Sequence, residues 1–87
     1  MNREEIIKLI EESEHSNDAA FRLFHELNIK VEPFEDYFTY AWIIVGDHGQ
    51  HVIEHKVPGN ETDTTRKAIA NVASDYLDWI EKESANG

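Results

Sequence analysis

Tyr37-Phe38-Thr39-Tyr40-Ala41-Trp42-Ile43-Ile44-Val45 is the stretch on which the fold turns. Consecutive aromatic and β-branched residues suit a pleated, half-buried surface and predict a strand over 37–45. Gly46-Asp47-His48-Gly49 then reads as a hairpin turn, with glycines where positive φ is needed, and residues 50–57 return as a second strand. Pro58-Gly59-Asn60 closes the hairpin. Side chains alternate across a strand, so Phe38, Tyr40, Trp42 and Ile44 share one face, while Tyr37, Ala41, Ile43 and Val45, with Thr39 among them, share the other. Both faces are largely apolar, and a two-stranded ribbon is marginal in water unless something covers it. The expectation is that helices of the same chain wrap both faces, with Trp42 in the core under a helix. If a second chain does the covering instead, Tyr40 and Trp42 are the residues of a homodimer interface.

Helical periodicity flanks the hairpin on both sides. Over residues 3–14, Ile6, Ile7, Leu9 and Ile10 fall on one side of a helical wheel, and Asn2 can cap that helix with Glu5 reaching back. Ser16 or Asn17 can cap a second helix over 18–27, whose Ala20, Phe21, Leu23, Phe24 and Leu27 form an apolar stripe, and Asn28 can stop it. Pro33 drives Glu32 toward an extended conformation. Ala68, Ile69, Val72, Ala73, Tyr76, Leu77 and Ile80 recur at helical intervals over 63–83, with Asn60 or Thr62 as cap and a frayed tail at 84–87. The predicted fold class is α+β: a single small domain spanning 1–87, ordered α-α-β-β-α, with an antiparallel hairpin packed by helices.

The chain has 87 residues, 8 basic and 18 acidic side chains, a formal net charge of −10, and no cysteine. That balance argues against gripping nucleic acid directly, because phosphate backbones are bound by clustered Lys and Arg. It disfavours an anionic membrane surface for the same reason. Without cysteine, disulfides, thiolate zinc sites and cysteine nucleophiles are excluded. Arg3, Glu4, Glu5 and Lys8 stand where a signal peptide would carry its apolar region, and the cytoplasm is the expected compartment.

Catalytic and metal chemistry find little to build on. His48, His51 and His55 cluster, yet on a strand His51 and His55 stand about 13 Å apart, too far for one ion. Only Asp47, His48 and His51 around the turn could meet. Adjacent pairs such as Glu54 and His55 point to opposite faces, no serine or threonine sits in a nucleophile elbow, and four glycines form no phosphate-binding loop. No enzyme activity, cofactor or metal is expected.

The carboxylates remain. Residues 1–36 hold ten acids against four bases and residues 61–87 six against three, while residues 37–60 hold two against one. The excess therefore sits on the helical segments, too large for salt bridges to absorb. Acidic side chains 5–6 Å apart on a helix roughly imitate a row of phosphates and steer toward a basic cleft. In size and charge the chain is similar to phage-encoded inhibitors of host nucleases and to immunity proteins of nuclease bacteriocins, although no motif ties it to either. The function expected is a non-enzymatic binding protein that docks on a basic partner, a nucleic-acid-binding protein or nuclease, and inhibits it by nucleic-acid mimicry. Glu11, Glu12, Glu14, Glu35, Asp36, Asp75, Asp78 and Glu81 are the charge complements, with Trp79 as an aromatic anchor. The alternative expectation is a homodimeric assembly or chaperone-like adaptor whose hairpin makes the contact.

Overall fold

Each helix begins and ends where local chemistry permits. A computed structural model of the chain describes residues 2–34, 37–45 and 48–86, with side chains at all of these except Val45, His48 and residues 83–86. Helix α1 (Arg3–Glu12) is capped by Asn2, whose side chain accepts from the Glu5 N–H at 2.9 Å. Helix α2 (Asn17–Glu26) is capped by Ser16, which accepts from the Ala19 N–H at 3.2 Å. It stops at Asn28, which adopts φ 56°. There the Ile29 N–H donates to the Phe24 carbonyl and the Asn28 N–H to the His25 carbonyl. This is the Schellman arrangement, which satisfies otherwise orphaned carbonyls and turns Ile29 into the core. A turn over 57–60 with Pro58 at its second position and Gly59 at φ 86° leads into helix α3 (Glu61–Asn86). That helix continues over 84–86, expected to fray, because no Gly or Pro interrupts it before Gly87.

The sheet has three strands rather than two: β1 (Lys30–Phe34), β2 (Phe38–Val45) and β3 (His48–His55), all antiparallel, in the order β1-β2-β3. Strand β1 was the element hidden in the sequence. Pro33 lies inside it and is tolerated because β1 is an edge strand, where a missing donor costs no ladder bond. The register pairs Lys30 with Trp42, Glu32 with Tyr40 and Phe34 with Phe38; across the other edge of β2, His51 pairs with Trp42, Ile53 with Tyr40 and His55 with Phe38. Strand β3 begins two residues earlier than the pattern suggests, with His48 opposite Val45. Gly46 and Asp47 lie outside the described residues.

All three helices lie on one side of this sheet. Helix α3 packs against all three strands, and α1 and α2 pack on each other and on α3. The inner face of β2 supplies Thr39, Ala41 and Ile43, all buried, to a core completed by Ile6, Leu9, Ala19, Ala20, Leu23, Ile29, Ala68, Ile69, Val72, Ala73 and Leu77. Ala41 on β2 and Ala68 and Ala73 on α3 are all fully buried. The wrapped hairpin is therefore corrected: Trp42 is not under a helix, and its face of the sheet is left uncovered by the described residues. One long amphipathic helix spans one sheet face, and α1 and α2 pack their own stripes against it instead of crossing to the other side, although Phe21 of the α2 stripe stays 67% exposed.

Candidate functional site

The uncovered face carries four rows of side chains across the strands. Ile44 and Gly49 form the first; Lys30, Trp42 and His51 the second; Glu32, Tyr40 and Ile53 the third; Phe34, Phe38 and His55 the fourth. Tyr40 stacks on Trp42 with ring centroids 4.9 Å apart, and Phe34 stacks on Phe38 at 5.0 Å. Tyr40 also meets the edge of Phe34 at 6.4 Å and the His51 ring at 5.9 Å. These contacts half-bury the rings among themselves, while Ile44 stays 65% and Ile53 52% exposed. Lys30 and Glu32 are its described charged side chains and oppose one another in sign. Tyr40 and Trp42 thus stand together on an open surface. Lys30, Glu32 and Phe34 escaped the sequence reading because β1 did; their alternation with Val31, which packs on the core, was the available signal.

The acidic residues singled out from sequence divide among several places. Asp75, Asp78 and Trp79 line one depression of about 210 Å³ together with Lys82 and with Gln50 of β3. Both carboxylates are exposed and the Trp79 ring is half-buried, packed near Tyr76 at 6.2 Å. Glu14 lies in a second depression beside Arg66 and Lys67, and Glu12 in a third beside Lys8 and Arg22. Glu81 is paired with Arg3, joining the start of α1 to the far half of α3. Glu11 is exposed on α1. Glu35 and Asp36 lie outside the described residues. The folded chain therefore gathers Asp75, Asp78 and Trp79 and separates them from the α1 acids, some of which have basic neighbours.

A cavity of about 390 Å³ opens between α2, β1 and α3, walled by Ala20, Phe21, Phe24, Val31 and Ile69. Part of its polar rim is engaged, although the buried Nε of Arg66 has no hydrogen-bond partner among the described residues. Arg66 donates to Asn17 at 2.6 Å and pairs with Asp63, and the Thr65 hydroxyl donates to the Glu61 carbonyl. His51 and His55 are exposed on the open sheet face, and among the described residues no three His, Asp or Glu side chains converge to hold a metal ion. No helix among the described residues is long and apolar enough to cross a membrane.

Comparison with family models, with curated proteins and with solved structures finds no match to this chain.

Proposed function

We propose that the protein is a non-enzymatic binding protein that docks on a basic protein partner through the acidic flank of α3. One observation carries the reading: Asp75 and Asp78 line one depression together with the ring of Trp79, the residue that follows Asp78. Two exposed carboxylates three residues apart on a rigid helix offer a phosphate-like spacing to Arg or Lys. The neighbouring aromatic ring adds apolar area and a surface on which a guanidinium can stack. The net charge of −10 supplies a long-range field that attracts a basic partner to the molecule. A nucleic-acid-binding protein or nuclease is the partner class that presents such a cleft, and occupying it would inhibit nucleic-acid binding.

Capture from the native host with the wild-type chain and with an Asp75→Lys/Asp78→Lys variant tests this. Both positions are exposed, so the variant should keep its fold, which circular dichroism checks. The expected result is a basic partner retained at low salt, released at high salt and missing from the variant. A partner that stays bound to the variant, or that ignores salt, would overturn the reading.

A further inference from the structure

We propose that a second copy of this chain covers the aromatic face of the sheet, packed face to face about a two-fold axis that crosses the strands between the Tyr40 and Trp42 rows. The inference is independent of the acidic-flank reading, since Asp75, Asp78 and Trp79 lie on a helix behind the opposite sheet face.

Three properties of the face single out this occupant. The first is charge. A chain of net charge −10 repels its own kind over most of its surface. On the open face Lys30 and Glu32 cancel and the other described side chains are uncharged or histidine, so copies meet there with least repulsion.

The second is symmetry. An isologous contact requires that residue i meet residue j and j meet i. The four rows are Ile44, Trp42, Tyr40 and Phe38 along β2, so their midline falls between Tyr40 and Trp42. Turning a copy about that midline sets Lys30 against Glu32 of the other copy and Glu32 against its Lys30. The same rotation sets Tyr40 on Trp42, Ile44 on Phe38, and His51 against Ile53. The space above Gly49, which has no side chain, receives His55 of the second copy. Every row then has a counterpart and the two charges of β1 are paired twice.

The third is extent. Eight residues at ~3.3 Å each and three strands ~4.8 Å apart give a footprint roughly 26 Å by 15 Å once side chains are included. That is about 400 Å² per copy and about 800 Å² in total, below the ~1,200 Å² of stable specific interfaces. The dimer should therefore be weak and transient, with a dissociation constant on the order of 100 µM.

Sedimentation equilibrium of the intact chain from about 1 to 300 µM tests the proposal. The expected result is a reversible shift from the 10.1 kDa chain toward twice that mass. Ile44→Lys and Ile53→Lys, at exposed positions that do not support the core, should each abolish it. Lys30→Glu and Glu32→Lys should each weaken the dimer by about tenfold or more, because each replaces two attractive contacts by two repulsive ones. The double swap Lys30→Glu/Glu32→Lys should restore it. A wild-type chain that stays monomeric at the highest concentration overturns the proposal. A dimer indifferent to Ile44→Lys overturns the choice of face, and failure of the double swap to rescue overturns the two-fold arrangement.

Discussion

The Asn71 side-chain amide on α3 donates to the Glu54 carboxylate on β3, and Lys67 Nζ stands 3.9 Å from the other oxygen of the same group. Glu54 is on the inner face of the sheet, and its side chain is only 19% exposed. This polar clamp holds the long helix over the edge strand, where the apolar core thins out.

Asn71→Ala leaves that half-buried carboxylate without its amide donor. A lost hydrogen bond to a charged group costs about 1.5–3 kcal/mol. Lys67→Ala removes an exposed partner at the limit of ion-pair distance and should cost under about 0.5 kcal/mol. Thermal unfolding should therefore fall by roughly 5 °C or more for the first variant and hardly at all for the second, given about 4–8 °C per kcal/mol in a domain of this size.

Ile43 and Ile44 are adjacent and chemically identical, yet Ile43 is 2% exposed against the helices and Ile44 is 65% exposed on the open face. Ile43→Ala should destabilise the chain by about 2–4 kcal/mol through lost burial and a residual cavity. Ile44→Ala should cost less than about 0.5 kcal/mol in dilute solution, where the chain is monomeric. Urea denaturation at low micromolar concentration separates the two; equal losses would mean that the strand faces are assigned wrongly.

Thr39 is fully buried on the inner face, and its hydroxyl has no hydrogen-bond partner among the described residues. Burying an unsatisfied hydroxyl costs about 1–3 kcal/mol. Thr39→Val keeps the shape and the β-branched preference for a strand while removing that cost. Its midpoint in urea should rise, corresponding to about 1 kcal/mol of added stability.

Salt should act with opposite sign on the two surfaces. Two charges of −10 about 25 Å apart repel by ~16 kcal/mol in unscreened water. Screening leaves roughly 7 kcal/mol of this at 0.01 M salt, where the Debye length is about 30 Å, and under about 1 kcal/mol at 0.15 M, where it is about 8 Å. The paired Lys30 and Glu32 contribute far less than that change. Self-association should therefore strengthen from 0.01 to 0.15 M salt, while capture of a basic partner by Asp75 and Asp78 should weaken over the same range. Sedimentation and binding titrations at the two salt concentrations read both signs.

The helices were legible because their signals are local. Asn2, Ser16 and Asn28 act on backbone groups within a few residues, and the stripes of α1, α2 and α3 repeat at the helical period whatever the rest of the chain does. The strand character of β2 was legible in its β-branched and aromatic run. Strand β1 was not, because Pro33 interrupts its pattern and only Val31 among its side chains packs against the core; pairing with β2 alone makes it a strand. The alternation of β2 showed two apolar faces, but not which one the helices would take. That was decided by α3 lying across Thr39, Ala41 and Ile43, which leaves Tyr40 and Trp42 outside. The acids behave likewise: their excess is a property of composition, whereas the gathering of Asp75, Asp78 and Trp79 beside Gln50 and the pairing of Glu81 with Arg3 depend on which helix faces which neighbour. Local backbone chemistry sets the elements in the sequence; only packing, which couples residues far apart in the chain, sets which of their surfaces remain open.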